Sequence, residues 1–194
     1  STIATITATL NSAIINNVII YRKTLMRHLV LTVLAEDQPG IVEQIAKIIM
    51  SHEGSWVEGK MNRLAGKFAG ILLVVVAENR CQPLQAGLIE LDKHGIKITV
   101  DQTISLSLPY KKDVWMEIVA NDRPGIISEI SSLLAKKGIN LESLETVCES
   151  APMSAGVMFK ARASVQLPKK ISERDLMGLL ESLSDDLMVE IVQP

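Results

Sequence analysis

Aromatic residues are scarce in this chain of 194 residues. Phe, Trp and Tyr together make up 3%, so any core must be aliphatic, and an apolar content of 47% is enough to build one. The length suits one or two domains. Cysteine is nearly absent too: Cys81 and Cys148 lie far apart and form no CxxC pair. That argues against a disulfide scaffold and a zinc site, and points to free thiols in a reducing compartment. Basic excess is missing, with a net charge of −2, so neither direct nucleic-acid binding nor an anionic membrane surface is expected. No apolar run reaches the roughly 20 residues of a membrane helix.

Acidic residues are lacking at the start, where none precedes Glu36. The first 25 residues, rich in Thr, Ile and Asn, have no basic start or clean apolar core and make a poor secretory signal. An acid-poor, Ser/Thr-containing start fits part of an organelle transit peptide, although Arg22 and Lys23 are the only basic residues before Met26. An extra strand or an artefact at the start of the sequence fits as well. Residues 1–25 are therefore set apart as an extension of uncertain role. The expected location is cytoplasmic, with organelle targeting left open.

What is present is a repeat. Asp37-Gln38-Pro39-Gly40-Ile41 recurs 85 residues later as Asp122-Arg123-Pro124-Gly125-Ile126. Each copy follows a strand-like run, Leu29–Leu34 and Val114–Val119. Each opens an apolar helical stripe: Ile41, Ile45, Ile48 and Ile49 in one, Ile126, Ile130, Leu133 and Leu134 in the other. Lys136-Lys137-Gly138 and His52-Glu53-Gly54 read as helix stops. Strand pairs are expected over about 56–64 and 68–77, and over about 140–148 and 156–167. The unbroken run Ile71–Val76 suits a strand that is covered on both faces or central. Second helices are marked by Leu84, Leu88 and Leu91, and by Leu176, Leu179, Leu180 and Leu183, with Ser172 as N-cap. Closing strands are expected over 97–106 and 187–192.

Each unit thus reads β-α-β-β-α-β, the ferredoxin-like pattern. The fold class is α+β: two tandem domains, 26–108 and 113–194, joined by a linker at 109–112. Each has an antiparallel sheet with both helices on one face. The bare sheet faces call for a partner, so a homodimer is expected.

The Asp-x-Pro-Gly corner carries the functional argument. Asp37 and Asp122 are expected to cap the helix start, proline suits a first turn, and glycine permits close approach. The remaining amides and the helix dipole suit a carboxylate. The same tetrapeptide is also simply a good helix start; its recurrence at both strand-to-helix junctions favours the functional reading.

The segments Leu34–Val42 and Val119–Ile127, with Gly138-Ile139-Asn140-Leu141, resemble those of tandem ACT-domain proteins, over about residues 26–194. Two such units with nothing attached are similar to the glycine cleavage system transcriptional repressor family. The resemblance implies binding of an amino acid, for example glycine, where two domains meet, near the first strand–helix loop and the start of the second strand. It points to Asp37, Gln38, Gly40 and Ile41 in unit one, and to Asn121, Asp122, Arg123, Gly125, Ile126 and Asn140 in unit two. Aligning Gly54 with Gly138 sets Trp56 where Asn140 stands. On that alignment unit two is the better site, and Trp56 packs at an interface or in the core.

Nothing suggests catalysis, a metal or a cofactor. His28, His52 and His94 lack ligand spacing, and Asp185-Asp186 follows a helix and is expected to be solvated. No nucleophile elbow or phosphate loop occurs. The leading expectation is a non-catalytic allosteric regulator that modulates a partner protein, such as a transcription regulator of amino-acid metabolism. A detached regulatory subunit of an amino-acid metabolic enzyme is the alternative. A phosphate-hydrolysing enzyme on this fold ranks third, because Pro39 and Pro124 each remove a loop amide.

Overall fold

The computed structural model describes residues 25–103, 113–150 and 156–193. They fall into two compact units, with the boundary inside the 104–112 stretch. The linker expected at 109–112 and nearly all of the N-terminal extension lie outside the described residues.

Unit one runs β1 (Met26–Glu36), α1 (Ile41–Ser51), β2 (Ser55–Leu64), β3 (Lys67–Ala77), α2 (Glu78–Ile89), a short 3-10 helix (Glu90–His94) and β4 (Ile96–Thr103). Unit two runs β5 (Asp113–Asn121), α3 (Ile126–Lys136), β6 (Asn140–Ser150), β7 (Val157–Gln166), α4 (Glu173–Glu181) and β8 (Met188–Val192). The sheet orders are β2-β3-β1-β4 and β6-β7-β5-β8, antiparallel throughout. This is the expected α+β class, with two ferredoxin-like sheets.

Alternation decides which sheet face is covered. Leu29, Leu31 and Val33 of β1 and Leu72, Val74 and Val76 of β3 are buried against Ile41, Ile45 and Ile49 of α1 and Leu84 and Leu88 of α2. Burying each such side chain contributes about 1.5–3 kcal/mol. The run Ile71–Val76 is central, between β2 and β1, but only one of its faces is packed: Ile71 is 57% exposed. Unit two repeats the scheme with Met116, Ile118, Ile130, Leu134, Leu176 and Leu180.

Helix ends show where the units diverge. Ser172 caps α4 as expected, in a capping box: the Asp175 N–H donates to Ser172 Oγ at 3.1 Å and the Ser172 N–H to Asp175 Oδ2 at 3.0 Å. Helix α2 begins at Glu78, ahead of the leucine stripe, and carries Pro83 inside it. Glu78 is tied to Arg27 of β1, whose Nη2 donates to it at 2.8 Å. After α1 the left-handed position is held by Glu53 (φ 58), where Gly138 (φ 67) stands after α3. The true equivalence is therefore Glu53 with Gly138, one residue off the alignment that paired Gly54 with Gly138.

Candidate functional site

Both strand-to-helix corners are built alike. Gly40 (φ 93) and Gly125 (φ 92) are the N-caps of α1 and α3, in the left-handed region open to glycine. Each corner is also pinned to the neighbouring hairpin: the Asp37 N–H donates to the Gly66 carbonyl at 2.9 Å, and the Asp122 N–H to the Val157 carbonyl at 2.8 Å.

The expected aspartate caps do not form. Neither α1 nor α3 has a side-chain cap. The left-handed glycine takes the N-cap position itself, so Asp37 and Asp122 lie three residues earlier and Pro39 and Pro124 precede the first turn. The first-turn amides of both helices are left uncapped by side chains.

The aspartates are used differently. Asp37 Oδ2 accepts from Arg63 Nη1 at 3.4 Å. Strand register puts Cys148 at the matching place in unit two, since Arg63 pairs with Phe68 and Cys148 with Phe159. The Cys148 thiol is pushed above the ordinary cysteine range, first by loss of surrounding water and then by the Asp122 carboxylate beside it. Asp122 thus has a thiol where Asp37 has a guanidinium.

Arg123, named as a site residue, is turned back onto its own helix. Its Nη1 and Nη2 donate to Glu129 at 2.7 and 2.5 Å. The fork raises the Arg123 pKa and lowers that of Glu129. Asn121 is held through its backbone, donating its N–H to Asp186 Oδ2 at 2.8 Å. That places Asp186 in the corner rather than free in solvent. Its carboxyl sits below the usual range, first through the Ser184 hydroxyl and then through the Asn121 amide.

Asp37, Gln38, Gly40 and Ile41 stand together, lining a concavity of about 280 Å³ with Val42, Glu43 and Phe68. Asn121, Asp122, Arg123, Gly125 and Ile126 form the matching corner of unit two. Asn140 does not join them within its unit. It pairs with Gln166, level with Asp113 at the start of β5. Asn121 lies eight residues farther along that strand, about 26 Å away. The Asn140 side chain donates to Glu142.

Register also revises the position of Trp56. Trp56 pairs with Val74, as Leu141 pairs with Val165, and a bulge follows both. Ser55, not Trp56, matches Asn140. Trp56 packs half-buried on the core of unit one. A Cβ on Gly59 would lie 3.1 Å from its indole nitrogen, so the small residue at 59 accompanies the large one at 56.

Arg63, Cys148, Glu129 and Asp186 are the residues that motif reading missed. A signal existed for one pair: carried past the motif, the 85-residue offset joins Arg63 to Cys148. Among the described residues no group of three or more His, Cys, Asp or Glu could hold a metal ion, and no helix is long and apolar enough to cross a membrane.

Two family models, both described as ACT domain, match the sequence, over residues 27–101 and 114–159. Curated protein sequences give no match. Among solved structures the chain is similar to an unknown protein from Galdieria sulphuraria, at 23% identity and a TM-score of 0.70, covering 87% of this chain and 100% of that one. It is also similar to a candidate glycine cleavage system transcriptional repressor, at 15% identity and a TM-score of 0.68, covering 88% of this chain and 100% of that one. At such identities the likeness speaks for the fold. With one family match on each βαββαβ unit, the chain is a tandem ACT-domain protein.

Proposed function

We propose that this chain is a non-catalytic regulator that binds a small amino acid at its two proline-glycine corners and thereby alters its affinity for a partner protein. The observation that carries the reading is the pair of left-handed glycine N-caps without side-chain caps, each with an aspartate beside it. Uncapped amides and the helix dipole suit a carboxylate, and an aspartate suits an ammonium. In unit one, Asp37, Gln38, Gly40 and Ile41 meet the ligand. In unit two, Asn121, Asp122, Gly125 and Ile126 do so, with Arg123 holding the corner through Glu129. Asn140 enters only where a second ACT unit supplies it.

Unit two is the stronger ammonium site, on grounds other than Trp56. Arg63 already offsets the charge of Asp37, whereas a neutral thiol stands beside Asp122. Likeness to a candidate glycine cleavage system transcriptional repressor supports glycine as the first ligand to try and a transcription regulator as the first partner. Coupling between ligand and partner of about 1–3 kcal/mol is the usual range.

Calorimetric titration of the full chain with all twenty amino acids tests the reading. Cys148 provides a local reporter, because a ligand on Asp122 should slow its alkylation. Saturable heat with matching protection of Cys148, weakened in Cys148→Arg, is expected. No heat at millimolar levels from any amino acid removes the proposal. Pull-down separates the partners: an enzyme in place of a DNA-binding protein favours a detached regulatory subunit.

A further inference from the structure

The charges around the two corners do not match. Three carboxylates stand at the corner of unit one, and each has a cation of its own. Glu36 is paired with Lys67, Asp37 with Arg63 at 3.4 Å, and Glu43 with Lys47 at 2.6 Å. Glu43 belongs to the corner because its Oε2 would lie 3.9 Å from a Cβ on Gly40. As a set these groups are neutral, and Lys97, opposite Leu34, adds positive charge one row farther in.

Three carboxylates also stand at the corner of unit two, but they share one cation. Glu129 Oε1 would lie 3.9 Å from a Cβ on Gly125, and Glu129 takes the Arg123 fork. Asp186 accepts from the Asn121 N–H and the Ser184 hydroxyl, and Asp122 stands beside the Cys148 thiol. Neither aspartate has an ion pair among the described residues. Arg123 responds first to Glu129 and last to Asp186, so one guanidinium serves both. Leu34 pairs with Lys97 as Val119 pairs with Met188, so Asp185-Asp186 stand where unit one has His94-Gly95. Glu149 is paired with Lys160 and adds no net charge. The set carries two uncompensated negative charges before Asp185 is counted.

We propose that the unit-two corner selects its amino acid by side-chain charge, taking cationic side chains before neutral ones and rejecting carboxylates, with Asp186 and Glu129 as the selecting residues. The proposal rests on the reading that the corners bind amino acids, and it adds the ligand class. The α-ammonium and α-carboxylate of an amino acid cancel in charge, so the side chain decides the sign of the ligand. With the ammonium on Asp122, a side-chain charge meets Asp186, with Asp185 next to it, and Glu129, whose Arg123 is shared. One uncompensated charge about 7 Å away in water changes affinity about threefold. Two change it about sevenfold, in opposite directions for lysine and glutamate. In about 1 M salt the screening length falls to about 3 Å and most of the effect goes. At the unit-one corner the same side chains meet paired charges and are separated little.

Alkylation of Cys148 by iodoacetamide, an uncharged reagent, reads the unit-two corner alone, because Cys148 is exposed and Cys81 is buried. The full chain is titrated with lysine, glutamine and glutamate, the last two alike in size and different in charge. Half-protecting concentrations should rise in the order lysine, glutamine, glutamate. Lysine and glutamate should stand at least about tenfold apart at low salt and draw together in about 1 M salt. Asp186→Asn and Glu129→Gln each remove one charge and should each narrow that gap about threefold or more, with unchanged circular dichroism. Equal protection by lysine and glutamate overturns the selectivity and leaves the amino-acid reading intact. So does a gap that survives both substitutions or high salt. Cys148 left unprotected by every amino acid also overturns it, and if no heat is seen either, the reading itself falls.

Discussion

Asp37 in unit one faces Arg63, while Asp122 in unit two faces Cys148, although the two corners share the same left-handed glycine and the same tie to the neighbouring hairpin. Backbone geometry is thus repeated where charge is not. One row of the sheets teaches the same lesson: Glu145, Arg162, Glu117 and Glu190 cross unit two where Lys60, Ile71, Thr32 and Thr99 cross unit one. A duplicated fold keeps its corners because only glycine adopts that conformation cheaply. Side chains around the corner carry no such constraint, so the two units are free to take different partners.

That comparison can be broken first in the cores. Phe68 and Phe159 occupy matching positions opposite Ala35 and Ala120, but Phe159 is 2% exposed while Phe68 is only partly buried. Phe159→Ala should destabilise unit two by about 3–5 kcal/mol, and Phe68→Ala should cost unit one less than half of that. Each unit has its own tryptophan, Trp56 and Trp115. Denaturant unfolding read from each in turn, with the other replaced by Phe, reports the units separately. Equal losses would mean that the two cores are not packed differently at this position.

A smaller effect is expected after the first helix of each unit. Glu53 carries a steric cost in the left-handed region that its counterpart Gly138 adopts freely, and its ion pair with Arg80 is exposed and weak. Glu53→Gly should stabilise unit one by about 1 kcal/mol, and Gly138→Glu should destabilise unit two by about 1–2 kcal/mol. Thermal melts of the two variants should move in opposite directions.

The smallest effect is a pH response at the corner of unit two. Asp186 is held below the ordinary carboxylate range, so its contribution is complete above that range and is lost as pH falls through its lowered value. The Asn121 amide proton resonance should titrate with it. In Asp186→Asn that titration should vanish, while the Asp37 amide, bound to a carbonyl, shows none from this source in either protein.

Much of the fold was legible because its signals are local. Repeated Asp-x-Pro-Gly corners, helical stripes of Ile and Leu, and Ser172 before α4 are short-range patterns. The corner residues from Asp37 to Ile41 and from Asn121 to Ile126 were legible for the same reason. The aspartate caps were misread because a left-handed glycine N-cap looks, in sequence, like any Asp-x-Pro-Gly helix start. Trp56 was misaligned because Glu53, not Gly54, takes the left-handed turn, and no propensity favours glutamate there.

By itself the sequence determined the number of units, the order of their elements and the place of both corners, since periodicity and turn chemistry act over a few residues. Only the tertiary structure decided that Arg63 reaches Asp37, that Cys148 stands beside Asp122, that Asp186 holds the Asn121 amide, and that Asn140 lies at the far end of its sheet. Those relations depend on register between strands distant in the chain, which a bulge or a one-residue turn shifts without leaving a local mark.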